Sequence, residues 1–276
     1  MQEQVSNITQ WFNHVFGPLA LSLLHALHLQ PADYDTPIPE YVVMSIITLL
    51  IGTILALIVR SQLSVERPGT IQQIAEGLLT NSMGFGILDL LDESVGPSGR
   101  KYVPFVGSIS IFILISNLLS VFPAFAAPTS IVVVPLACAV LTFVYFNWHG
   151  VRHHGVGHYL LTFAGSPKNA ADYGLAILLF PVELISTAAR VLSLTVRLWA
   201  NIFASDLLYA IFVSLLVKLT LFAWGKSVAL GVVLGIFPVV IPLAFIGLHV
   251  FVAIIQAYVF TVLPAIYLGM ATADEH

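Results

Sequence analysis

From Val182 to Trp224 the chain runs for about 43 residues without a Gly or a Pro, and its dominant residues are Leu, Ile, Val, Ala and Phe. At 1.5 Å per residue such a run makes a helix of roughly 65 Å, about twice the hydrocarbon thickness of a bilayer. A helix of that length cannot stand upright in a membrane. Either it breaks in a way the residues hide, or it lies strongly tilted. The same run holds Glu183, Arg190, Arg197, Asn201, Asp206 and Lys218. A guanidinium stays charged at any cellular pH, and placing one deep in hydrocarbon costs at least roughly 2.5 kcal/mol. Arg197 therefore implies a membrane segment built around polar work.

Composition agrees with a membrane. The chain is 58% apolar and 9% charged, with a mean hydropathy of +0.97, where soluble domains carry about 25% charged residues. A net charge of -4 is too small to argue for an acidic or basic partner, and the ten Lys and Arg are scattered, which excludes a nucleic-acid footprint. Cys138, the sole cysteine, lies in an apolar run and reads as a small core hydrophobe, with no disulfide or thiolate metal site.

Residues 1 to 59 contain no Lys or Arg, so the basic start of a cleavable signal is missing and the N-terminus is expected to be retained. Residues 1–40 read as an extracytoplasmic segment. Within it residues 11–29 are apolar but carry His14, His25, His28 and Pro18, which predicts a helix lying on the membrane surface. The histidines are ordinary polar marks on such a face rather than metal ligands.

The remainder, 41–276, reads as an all-α membrane domain with spans expected at about 41–59, 103–121, 131–146, 173–224 and 228–268. Pro68 to Met83 is amphipathic and reads as an interfacial helix. After Phe146 the stretch NWHGVRHHGVGHYL predicts a polar loop, in which His149, His153, His154 and His158 are solvated rather than a metal cluster. Lys and Arg mark the cytoplasmic side. Arg60, Arg67, Arg100 and Lys101 follow the first span, Arg152 and Lys168 follow the third, and the turn at 123–130 is uncharged. Five crossings with the N-terminus outside and the C-terminus in the cytoplasm satisfy all of these, with Lys226 the exception. No internal repeat is visible, which disfavours inverted-repeat transporters.

The polar residues are ordered. Glu183, Arg190 and Arg197 are spaced by seven and form one helical stripe, with Asn201 beside it, whereas Asp206 points to nearly the opposite side. Polar groups on two faces imply two aqueous environments. His249 and Gln256 are again seven apart and share a face, and Asn117 adds a buried amide to the second span. Glu183 and Arg190 sit roughly 10 Å apart along the axis, so direct pairing needs long side chains or water. Lys218 reads as a charge snorkelling to the outer interface. Gly225-Lys226-Ser227 imitates the end of a phosphate loop, but Thr220 stands where that motif needs Gly, so no nucleotide site and no cofactor are indicated.

SLTVRLWANIFASDLL (193–208), HVFVAIIQAYVFTVLPAIYLGMA (249–271), SNLLSVFP (116–123) and QQIAEG (72–77), in this order, resemble the a subunit of the membrane sector of rotary ATP synthases. The resemblance covers roughly 41–276. It implies a stator subunit with five membrane helices, the last two long and steeply tilted against a ring of c subunits. A b-subunit peripheral stalk, the other synthase subunits and membrane lipid are the further partners it implies. It makes Arg197 the family's essential arginine, Asn201 the asparagine one turn on, Asp206 an acidic position usually held by Glu, and His249 and Gln256 the paired positions of the last helix. Asn117 and Glu183 match channel-associated positions.

Some residues depart from the pattern. Arg-Leu-Phe-Gly-Asn reads Arg-Leu-Trp-Ala-Asn, the Pro usual after Arg190 is Val191, and Ile131 and Val132 replace acidic and amide residues, which implies a differently lined outer half-channel.

The expected function is proton translocation through two half-channels in a bacterial inner membrane, by a chain that makes no ATP itself. Arg197, unable to lose its proton, gates; Asp206, His249 and Asn117 form the outer route, and Glu183 the inner one. The other reading is a stand-alone secondary transporter or ion channel in which Arg197 binds an anionic substrate. That reading expects broken helices around a midplane site.

Overall fold

The computed structural model describes residues 6–31, 33–64, 68–80, 86–122, 125–165, 170–228, 231, 235 and 237–272. Arg67, Met83, Pro123 and Lys168, used in the sequence reading above, lie outside them. Among the described residues there are nine α-helices and no strand: α1 (Asn7–Ala26), α2 (Glu40–Ser61), α3 (Thr70–Leu79), α4 (Ile87–Val95), α5 (Val103–Leu119), α6 (Val133–His154), α7 (Val156–Phe163), α8 (Ala170–Trp224) and α9 (Phe237–Thr272). A 3₁₀ turn, Pro97–Tyr102, leads into α5.

Five of these are long and apolar enough to cross a membrane: α2, α5 with its 3₁₀ turn, α6, α8 and α9. The chain is an all-α, multi-pass membrane protein. α8 is the long run of the sequence, unbroken over 55 residues, and it continues through Pro181, whose missing N–H removes one bond from the helical ladder. Many of its apolar side chains, Ile177, Ile185 and Leu221 among them, are exposed while Leu194, Leu198 and Ile202 are buried, as fits a helix with one face on its own chain and the rest turned to lipid or a partner.

Residues 147–163 differ from expectation. Instead of a polar loop, α6 continues to His154, and Gly155, at φ 78°, turns the chain into α7. That left-handed φ suits Gly alone at little cost. Tyr159 then folds back onto α6, where a side chain at Gly150 would collide with its ring, and its hydroxyl donates to Asn147 Oδ1 at 2.9 Å. His149 is likewise no solvated loop residue. Its ring lies edge-on to Tyr102 at 4.9 Å, between that ring and Tyr145.

The chain divides into two compact units, and α2, α5, α8 and α9 each contribute residues to both. The first comprises Met1–Thr53, Phe112–Ile131 and Trp199–Ile255. Here Ser6 caps α1, its Oγ accepting from Thr9 N. Past the end of the helix, His28 is left-handed at φ 56°, and Leu29 N bonds back to Leu24 O at 2.9 Å and His28 N to His25 O at 3.1 Å. That six-to-one closure satisfies two of the orphan carbonyls at the helix end. Asn13, buried, donates to Thr9 O and Ile38 O and accepts from Ile38 N, pinning α1 to the residues that precede α2. Trp11, Leu19, Leu23 and Leu27 keep an apolar face of α1 exposed.

The second unit comprises Ile54–Ile111, Val132–Leu198 and Gln256–His276. Its core is Ile87, Leu91, Tyr102, Val106, Phe146, Tyr159, Ala265, Leu268 and Ala271. Gly269 on α9 approaches the Ser94 carbonyl so closely that any Cβ would clash. A buried hydroxyl knot ties α5 to α9: Thr261 Oγ1 donates to Ser110 Oγ at 2.7 Å, and Ser110 Oγ lies 3.2 Å from the Ala257 carbonyl.

Candidate functional site

In the first unit α5, α8 and α9 bring three of the expected residues together. His249 on α9 sets Nδ1 4.0 Å from Oδ1 of Asp206 on α8. On its other side Nε2 lies 2.7 Å from Ser120 Oγ and 3.0 Å from the Asn117 main-chain carbonyl, just past the last turn of α5. The imidazole is largely enclosed while the carboxylate stays open, at 11% and 41% side-chain exposure. A protonated His249 would be drawn to that carboxylate.

Asn117 is fully buried. Its backbone oxygen meets the histidine, while its amide Oδ1 accepts from Thr129 Oγ1 at 2.6 Å. Its Nδ2 has no partner among the described residues; a buried amide N–H₂ of this kind is a docking point for water.

Arg197 and Asn201, one turn apart on α8, are both exposed. The ion pairs among the described residues are Arg100–Asp92, Arg190–Glu183 and His249–Asp206, so Arg197 has no counter-charge within them. Gln256 is the reverse case, 3% exposed with Oε1 buried and without a donor among the described residues. Lys218 is exposed.

In the second unit Glu183 and Arg190 pair directly, Oε1 to Nη2 at 3.1 Å. Two turns of helix separate them, and two long side chains laid along the axis close the gap without water. Arg190 also lies over the Tyr267 ring, 5.4 Å from its centroid. All three line a cavity of about 250 Å³ with Tyr159, Thr187 and Phe146. Burial pushes the Tyr159 phenol above its ordinary range, with the Arg190 charge acting in the opposite sense.

Ser120, Thr129 and Tyr267 escaped the sequence reading. Ser120 and Asn117 stand in one quoted stretch, SNLLSVFP, and a hydroxyl three residues from a buried amide was the available signal. Nothing local marks Tyr267 as a partner of Arg190.

Five membrane-length helices holding an imidazole–carboxylate pair, a guanidinium–carboxylate pair and a guanidinium without a counter-charge among the described residues define a multi-pass membrane protein with ionisable groups inside its spans. The family described as ATP synthase A chain matches residues 42–269. Over 271 residues the chain is 34% identical to the ATP synthase subunit a of Koribacter versatilis (strain Ellin345), covering 96% of this chain and 98% of that one. It is 38% identical over 241 residues to that of Solibacter usitatus (strain Ellin6076), covering 87% and 90%. The chain belongs to the ATP synthase subunit a family.

Proposed function

We propose that this chain is the proton-conducting stator subunit of a bacterial ATP synthase, lodged in the inner membrane against a ring of c subunits. The b-subunit peripheral stalk and other synthase subunits complete its surroundings. The observation that carries this reading is Arg197, a permanent cation exposed on a membrane helix with no described residue to neutralise it. Such a charge calls for a counter-ion from outside the chain, and a carboxylate on a neighbouring ring supplies it. Because the guanidinium cannot deprotonate, it is no relay. It holds each ring carboxylate ionised as it passes and repels a proton crossing directly between the half-channels, with Asn201 beside it.

Asp206, His249 and Asn117 make the outer half-channel, supported by the 4.0 Å approach of carboxylate to imidazole. The hydroxyls of Ser120 and Thr129 bond to the same group, where the family more often has acids and amides beyond Pro128-Thr129. Glu183 makes the inner port, supported by the cavity it lines with Arg190. Gln256, on the His249 stripe, lies along the same path. The N-terminus is outside, where the exposed apolar face of α1 rests on the membrane surface, and the C-terminus is cytoplasmic. The chain itself makes no ATP.

A stand-alone transporter binding an anion at Arg197 would break its helix there. α8 runs through Arg197 without interruption. Affinity purification of a tagged chain tests the reading. Co-isolation of a small, carboxylate-bearing hairpin protein in many copies is expected; an isolated oligomer that moves an anionic solute would overturn it.

A further inference from the structure

The contacts around His249 discriminate between its two tautomers. Its Nε2 faces two oxygens, Ser120 Oγ at 2.7 Å and the Asn117 main-chain carbonyl at 3.0 Å. A carbonyl only accepts. The Ser120 hydroxyl donates to that same carbonyl at 3.0 Å, so what it turns to the ring is a lone pair. The carbonyl, and the hydroxyl when its hydrogen is turned to that carbonyl, take hydrogen from Nε2, and a neutral imidazole carries only one N–H. Nδ1 is left bare, on the side of Asp206 Oδ1 at 4.0 Å. Asp206 is the charged group that faces the ring from α8, while α5 presents only neutral Asn117 and Ser120.

We propose that His249 exchanges protons through Nδ1 alone, with Ser120 as the positioning residue that keeps Nε2 protonated. The consequence for conduction rests on the proton-channel reading; the tautomer does not. A proton that arrives adds to the Nδ1 lone pair, giving an imidazolium whose new N–H faces the Asp206 carboxylate. It leaves by the same nitrogen, to Asp206 Oδ1 or to water beside it, and the Nε2–H bond never breaks. Passage through the ring would require Nε2 to release its proton towards an amide oxygen, a very weak base, or to a hydroxyl whose own hydrogen already points at that oxygen. His249 thus takes and returns protons on its Asp206 side and does not pass them through the ring to α5.

The test is nitrogen-15 spectroscopy of the histidines in the assembled, membrane-reconstituted complex. His249 is picked out of the nine histidines by the signal that vanishes in His249→Ala. The expected neutral form carries hydrogen on Nε2; hydrogen on Nδ1 overturns the proposal. Ser120→Ala removes one of two acceptors, so it should yield a mixture of tautomers and slow proton-driven turnover about fivefold, the effect of one net hydrogen bond. Ser120→Thr, which keeps the hydroxyl, should restore both. An unchanged tautomer in Ser120→Ala refutes the positioning role. If Ser120→Ala does not assemble, the wild-type and Ser120→Thr spectra carry the test. A wild-type complex with hydrogen on Nε2 but no proton conduction would support the tautomer and sink the channel reading instead.

Discussion

Nδ1 of His249 on α9 lies 4.0 Å from Oδ1 of Asp206 on α8. That is beyond a hydrogen bond yet close enough for one to form with a small side-chain movement once the ring is charged. Asp206→Ala and His249→Ala should each slow proton-driven turnover by more than about tenfold, the scale of a lost proton-transfer group. The exchanged pair, Asp206→His with His249→Asp, should recover more activity than either half-exchange. It should fall short of the native rate, because a carboxylate at position 249 meets the Asn117 carbonyl. Pumping rates in reconstituted vesicles for the four members of this cycle decide the matter; strictly additive losses would mean the two groups act independently.

Arg197→Ala should abolish both ATP synthesis and ATP-driven pumping and open a passive proton leak, because the ring carboxylate loses its counter-charge. Arg197→Lys should also fail, since an ammonium lacks the planar fork of a guanidinium and deprotonates more readily when buried. Acid-pulse synthesis and dye-monitored leak in vesicles read out both effects. Near-native synthesis in Arg197→Ala would remove the gate from the mechanism.

Single cysteines at Ile131 and Gly157 flank α6, and both positions are exposed. The native Cys138 is buried, so an impermeant maleimide should leave it silent. Ile131→Cys should label only from outside the cell and Gly157→Cys only from the cytoplasm. Labelling of both from one face is incompatible with α6 as a crossing.

Gly150→Val should destabilise the solubilised protein, because the added side chain lands in the Tyr159 ring and beside the Ala271 carbonyl. Overpacking of this kind costs roughly 1–3 kcal/mol. Gly157→Val, where a Cβ meets nothing within 4 Å, is the matched control. Thermal unfolding in detergent should separate the two, and equal midpoints would show that the α6–α7 fold-back contributes little.

The membrane class, the five long helices and the polar stripe on α8 were legible in the sequence because each depends on local order. Hydropathy over about 20 residues and a period of 3.6 need no partner to be read. The Glu183–Arg190 spacing was read the same way, but whether the two side chains meet directly or through water was left to the structure, which shows them 3.1 Å apart. The stretch from Asn147 to Phe163 was misread for the complementary reason. Its glycines and histidines resemble a loop by composition, yet Gly150 is a landing site for Tyr159 and only Gly155 makes the turn.

By itself the sequence determined that this chain lives in a membrane, that the run from Val182 to Trp224 is too long to cross upright as one helix, and that Arg197 sits well inside it; that α8 runs on unbroken is the structure's finding. Only the tertiary structure decided that Asp206 meets His249, that the backbone of Asn117 rather than its amide holds the ring, and that Ser120 shares the task. Those contacts join residues up to 132 positions apart. They follow from how α5, α8 and α9 pack, and helix packing is set by the summed fit of many side chains, which no local pattern records.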